Sequence, residues 1–230
     1  RLTGEDEEEV PDDLGPQITA IAQILDAIGV PRLGEPGFEA DDILGSLVAQ
    51  HDFECDVVTG DRDLFQLVSD TGGTRVISIS KGVRNLEIVD DAYLIEKYGV
   101  AGHQYADFAT LRGDASDGLP GVKGIGVKTA SDLIATWGTI DHLLAAIERE
   151  DELIRPAVAR KLLESHATII PTRTVVQVRT DAKVTKKLSQ PKHISNPNQL
   201  CELVEYWGVK RHLNQLLKAL ALPNLDSVVS

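Results

Sequence analysis

Residues 113–138 read "GDASDGLPGVKGIGVKTASDLIATWG". Asp114 and Asp117 sit in a glycine-bracketed loop, and Gly121, Gly124 and Gly126 follow as a tight turn. Ala130, Leu133, Ile134 and Trp137 then recur at the spacing of one buried helix face. Backbone N–H groups at the start of such a helix bind phosphate without reading bases. Lys123 and Lys128 flank the turn with positive charge. The order G-V-K-G-I-G-V-K-T-A is a helix-hairpin-helix pattern that grips a nucleic-acid backbone, and it also reads as a glycine turn joining two packed helices. A dinucleotide-binding fingerprint fits poorly, because no buried strand leads into these glycines. The candidate DNA contacts are Gly121, Lys123, Gly124, Gly126, Lys128 and Thr129.

Upstream of this stretch the chain alternates helices and strands. "DDLGPQITAIAQILDAIGV" places Ile18, Ile21, Ala22, Leu25 and Ile28 at helical spacing, with Gly29 as the stop, and residues 39–50 form a second helix. "CDVVTG" predicts a buried strand, and "TRVISIS" and "LEIVD" predict two more around the turn "KGVRN", a hairpin. From residue 90 onward short helices separated by glycine turns dominate: "DDAYLIEKYGV", "GHQYADFATLRG", "IDHLLAAIE" and "PAVARKLLESHATII". "TVVQVRTD" predicts one late strand returning to the sheet, and two helices close the chain. The expected organisation is an α/β part at 1–100, a helical hairpin region at 101–170, and a returning strand with C-terminal helices packing on the core at 171–230.

The acids fall at element ends. Glu39, Asp41 and Asp42, in "GFEADDILG", open the second helix, where the positive end of the helix dipole tolerates them. Asp61 and Asp63, in "TGDRDLF", directly follow a strand, the place where open α/β sheets bind ligands. With Asp114 and Asp117 that makes seven carboxylates in three groups. Each group alone also reads as a helix cap or a solvated turn. Gathered in one pocket they need compensating charge, or some of them take up protons. Hard divalent cations such as Mg²⁺ or Mn²⁺ suit an all-oxygen set. Two such ions roughly 4 Å apart serve in-line attack on a phosphodiester by water.

The chain as a whole agrees with a metal-dependent enzyme and argues against a passive nucleic-acid coat. Its 230 residues carry 23 Lys and Arg against 36 Asp and Glu, a net charge of −13, where a coat protein would be basic. Two cysteines, Cys55 and Cys201, are too few for a disulfide framework, so a reduced cytoplasmic protein is expected, with no membrane partner. The six histidines are scattered, most of them in predicted helices, and read as packing or surface groups, and no Ser-His-Asp or Cys-His pattern offers a nucleophile.

Taken in order, "EADD", "TGDRDL" and "RGDASDGLPGVKGIGVKTA" closely resemble the 5′-nuclease family: the flap endonucleases and the 5′→3′ exonuclease domain of bacterial DNA polymerase I. The resemblance runs from about Pro11 to the C-terminal helices. It implies a PIN-like α/β nuclease core with a mostly parallel sheet and a helix-three-turn-helix DNA clamp. It implies cleavage of DNA at 5′ flaps and single-strand/duplex junctions, in replication and repair, on the bacterial nucleoid and in company with a DNA polymerase, fused or separate. By motif position, Glu39, Asp41, Asp42, Asp61, Asp63, Asp114 and Asp117 take the metal and catalytic roles. Backbone carbonyls of Val122 and Ile125 are the candidates for a hairpin-bound K⁺. The family pattern also has an N-terminal strand with further aspartates and a basic helical arch. These 230 residues begin past both, so sequence upstream of Arg1 is expected. A non-catalytic DNA-junction binding module and a PIN-type ribonuclease remain the competing readings.

Overall fold

The computed structural model describes residues 14–51, 53–114, 118–184 and 188–227. The chain divides into two compact units, one of residues 34–184 and one joining the two chain ends, 1–33 with 185–230.

The larger unit is built on a three-stranded sheet of β1 (Cys55–Thr59), β2 (Thr74–Ser78) and β3 (Glu87–Val89), in that order. β1 and β2 are parallel, with Val57 opposite Val76, and β2 and β3 form the expected antiparallel hairpin, with Val76 opposite Val89. Period-two alternation therefore puts Val57, Val76 and Val89 on one face, all buried. β1 is not buried on both faces as its run of valines suggests: Val58 points the other way and is 61% exposed among the described residues.

The covered face meets a short 3₁₀ turn, Asp63–Leu67, and α4 (Tyr105–Arg112), whose Phe65, Tyr105, Phe108 and Leu111 are buried. Phe65, Tyr98, Tyr105 and Phe108 form a tilted and edge-to-face aromatic cluster with centroids 5.4–6.4 Å apart. Around it stand α3 (Asp91–Tyr98), α5 (Val127–Trp137), α6 (Ile140–Glu148), α7 (Pro156–Glu164) and α8 (His166–Val176), with α2 (Ala40–Gln50) beside the 3₁₀ turn. Each start and stop has a local cause. The Asp90 carboxylate accepts from the Tyr93 N–H at the head of α3, Gly99 ends it at φ +72°, and Thr139 caps α6 by accepting from the His142 N–H.

Two expectations fail here. "PAVARKLLESHATII" is not one helix, because Ser165 ends α7 and begins α8. "TVVQVRTD" is not a strand: α8 runs through Val176, and residues 177–182 follow in no regular structure. Side chains from elsewhere satisfy that backbone in place of a ladder. Gln66 donates to the Val176 carbonyl at 2.9 Å and accepts from the Val178 N–H at 3.0 Å. Asp42 accepts from the Arg179 N–H, Gln50 donates to the carbonyls of Thr180 and Ala182, and the buried Ser46 hydroxyl accepts from the Ala182 N–H. Burial of Ile169 and Val176, seven residues apart, holds α8 helical against its β-branched composition.

The α8 side chains also tie the helices together. Arg173 reaches Asp107 of α4 at 2.8 Å and Asp141 of α6 at 2.8 Å. Asp107 is 5% exposed and accepts the Ile140 N–H at the head of α6.

The smaller unit packs α1 (Leu14–Ile28) with α9 (Pro197–Trp207) and α10 (Lys210–Ala219). Its core is Ala27, Ile28, Leu200, Val204, Leu213 and Leu217. The α1 helix is as expected and Ile28 is buried as expected, but Ile18 and Ile21 are each 58% exposed, and Ala20 and Ala27 are buried in their place. Small alanines suit close approach to α9. No helix among the described residues is long and apolar enough to cross a membrane.

Candidate active site

The first acid group lies at the head of α2. Glu39 is the N-cap residue and is exposed, and Asp41 and Asp42 occupy the first turn, half-buried. Asp42 is fully engaged: one carboxylate oxygen accepts the Glu39 N–H at 3.1 Å and the other accepts the Arg179 N–H at 2.9 Å. It fastens the helix start to the segment after α8. Arg179 in turn lies 3.9 Å over the Phe38 ring and forks onto Asp181.

The second group follows β1. Thr59 Oγ1 accepts the Asp61 N–H and Asp61 Oδ1 accepts the Asp63 N–H, so the strand end rolls directly into the 3₁₀ turn. This places Asp61 within the field of α2. The Asp41 carboxyl is held above its ordinary value, first by burial and then by the charges of Asp61, Glu39 and Asp42. Asp41 and Asp61, 20 residues apart in sequence, thus feel each other's charge.

The third group hangs from the end of α4. Asp114 Oδ2 takes a 2.9 Å bond from the Arg112 guanidinium, with both side chains mostly buried, and the guanidinium lies 5.4 Å over Phe108. Asp117 lies outside the described residues. Beside Arg112, and within the field of Asp63, the Tyr105 hydroxyl is buried without a well-formed hydrogen bond, and burial pushes its phenol far above the ordinary value.

Loop and hairpin form one piece. Asp114 and Leu119 exchange backbone hydrogen bonds at 2.8 and 2.9 Å, closing the acidic loop. Gly121, at φ +59°, then lies against the backbone of Arg112 and Gly113; a Cβ there would stand 2.5 Å from the Gly113 nitrogen. The Val122 N–H donates to the Leu111 carbonyl, and Val122 and Ile125 are buried in the core. This leaves Lys123, Gly124, Gly126 and Lys128 exposed at the start of α5, with Thr129 half-buried behind them.

Among the described residues, no three His, Cys, Asp or Glu side chains converge on one point at ligating distance. What fits a hard divalent cation is the donor chemistry: an all-oxygen set in which burial, and then the neighbouring carboxylates, raise Asp41. All six histidines are exposed. Two other basic residues are engaged in local ion pairs, Arg112 with Asp114 and Lys81 with Glu87, each at 2.9 Å.

The N-terminal resolvase-like domain of 5′-3′ exonucleases matches residues 5–99, and their C-terminal SAM fold matches residues 100–199. The chain belongs to the 5′-3′ exonuclease family. It is 43% identical over 221 residues to a 5′-3′ exonuclease of Streptomyces coelicolor, covering 96% of this chain and 73% of that one. It is 41% identical to a 5′-3′ exonuclease of Mycobacterium tuberculosis, covering 94% and 70%. DNA polymerase I of Mycobacterium tuberculosis is 34% identical, and there the chain spans 24% of the relative. Among solved structures, the zinc-bound 5′-exonuclease of bacteriophage T5 superposes with a TM-score of 0.58 at 20% identity, covering 74% of this chain and 60% of that one. The catalytic core of Rad2 with DNA gives 0.56 at 17%, covering 84% and 64%. The exonuclease-family fold is accordingly a PIN-like α/β core joined to a helical hairpin region.

Sequence reasoning locates the three acid groups and the hairpin, and misses what ties them. Arg112 is readable, two residues before Asp114. The pairing of Asp42 with a backbone amide 137 positions away leaves no local signal.

Proposed function

We propose that the chain is a structure-specific 5′-nuclease that hydrolyses DNA phosphodiesters at 5′ flaps and single-strand/duplex junctions, acting 5′→3′ in replication and repair. The observation that carries the reading is the backbone contact between Gly113 and Gly121. It fixes the acid loop to the phosphate-gripping turn, so a strand held by the hairpin has a set position relative to the carboxylates.

In this reading the amides at the start of α5, with Lys123, Lys128 and Thr129, hold the DNA backbone, and affinity falls steeply with salt. Residues 101–170 grip and residues 1–100 cut. Glu39, Asp41, Asp42, Asp61, Asp63 and Asp114, with Asp117, would hold two divalent ions, Mg²⁺ or Mn²⁺. When bound, these supply charge neutralisation and lower the pKa of the attacking water. Asp42 keeps the head of α2 in place through its two amide bonds. Arg112 neutralises Asp114 and orients it. Carbonyls of Val122 and Ile125 are the candidates for K⁺ in the turn, where the Val122 carbonyl also accepts the Ile125 N–H at 2.9 Å. The natural setting is the bacterial nucleoid, alongside a DNA polymerase, fused or separate.

Asp61→Asn tests this. Cleavage of a 5′-flap DNA in Mg²⁺ falls by roughly a hundredfold or more, the scale of losing one preorganised charge contact, while junction binding in EDTA is retained. Absence of cleavage by the unaltered chain makes it a binding module, and faster cutting of a matched RNA flap makes it a ribonuclease.

A further inference from the structure

Helix α7 is outside both the acid groups and the hairpin, yet one of its side chains ends inside the turn. The Lys161 ammonium donates to the Gly124 carbonyl at 2.9 Å across 37 positions of sequence. The stem lies directly over the glycine: a Cβ on Gly124 would stand 2.7 Å from Lys161 Nζ and 3.1 Å from Cε. Gly124 is at φ +77°, a conformation that L side chains rarely adopt, so the turn is shaped to receive the lysine. Lys161 is half-buried and its neighbour Leu162 is fully buried, which fixes the base of the side chain.

An ammonium has three donors, and Gly124 uses one of them. Lys123 and Lys128, which precede and follow Gly124 in sequence, are exposed. We infer that Lys161 is a positioning residue of the DNA grip. It holds the Gly124 turn from a separate helix and adds a third positive charge where a phosphate is bound, acting as a tethered cation at the hairpin. This rests on the DNA-gripping role of the hairpin proposed above.

The test replaces the charge and keeps the stem. Lys161→Met, Lys161→Arg, Lys123→Ala and Lys128→Ala are compared in the 230-residue chain on a duplex with a 5′ single-stranded flap, in EDTA so that nothing is cut. Affinity is followed across salt concentration, and urea unfolding is recorded in parallel. Lys161→Met is expected to bind about three- to tenfold more weakly, with a log–log salt slope shallower by about 0.9, the value of one phosphate contact. Its unfolding midpoint is unchanged and Lys161→Arg restores binding. Wild-type affinity and slope in Lys161→Met, while Lys123→Ala and Lys128→Ala weaken binding, overturn the inference and leave the hairpin reading standing. A loss of affinity with unchanged slope and a lowered unfolding midpoint also overturns it, since the lysine is then only packing. If none of the lysines matters, the hairpin reading itself falls and the inference with it.

Discussion

Replacing Gly121 with alanine sets the contact between acid loop and hairpin against a single methyl group. The added Cβ stands 2.5 Å from the Gly113 nitrogen and 2.6 Å from the Arg112 carbonyl carbon and oxygen, all backbone atoms that cannot rotate away. The left-handed conformation at φ +59° costs about 1–2 kcal/mol for a residue with a Cβ. Forcing the two backbones apart adds about 1–3 kcal/mol. The sum, about 2–5 kcal/mol, is a large share of a typical domain's stability. With a urea dependence of about 2 kcal/mol per molar, the unfolding midpoint falls by about 1–2.5 M. Gly126→Ala is the control in the same hairpin, because its φ is −94° and nothing lies within 4 Å of its Cβ. It costs a few tenths of a kcal/mol to about 1 kcal/mol, through the helix cap alone. Urea unfolding followed by circular dichroism reads both. Equal midpoints for the two variants refute the steric argument and, with it, the claim that grip and acids are rigidly joined.

Two further changes probe charge. The raised Asp41 carboxyl means that the folded chain holds this proton more tightly than the unfolded chain does. Its contribution to stability is therefore present below the ordinary carboxylate value and is lost as pH rises through the raised one. Without divalent ions, Asp41→Asn is expected to unfold at higher temperature than the parent at pH 7, with the gap closing in acid. The variant also loses part of the thermal gain on adding Mg²⁺, and a parent that outlasts it at pH 7 without metal contradicts the account. Asp107→Ala removes the buried partner of Arg173 and the acceptor for the Ile140 N–H, and costs about 3–5 kcal/mol in urea unfolding. Asp107→Asn, which loses the charge but keeps an acceptor for Ile140, costs less, and identical losses would show that the bond to the Ile140 N–H contributes nothing.

Much of the fold is legible because local chemistry sets it. Glycines at Gly99, Gly138 and Gly208 stop three helices, each at positive φ. The acids at 39–42 and 61–63 lie at a helix head and a strand end because those ends carry their own signals in the sequence. What escapes reading is decided at long range. Ile18 and Ile21 look like a core stripe, but α9 meets the alanine face. "TVVQVRTD" has the composition of a strand, and no strand accepts it; Arg173 and Val176 are held as helix by Asp107, Asp141 and the core. At the site, the repulsion felt by Asp41 follows from motifs visible in sequence. The roles of Gln66, Ser46 and Lys161 depend on partners 37 to 136 positions away.

From the end of α8 the chain is held through its peptide groups at Val176, Val178, Arg179, Thr180 and Ala182, beside the burial of Val176 and Ala182 and the contact of Arg179 with Phe38. Much of the information that seats it is therefore written in Gln66, Asp42, Gln50 and Ser46. Relatives can therefore vary the exposed side chains at 177 and 180 while keeping the path of the chain. Proline, which has no N–H to give, is barred from 178, 179 and 182.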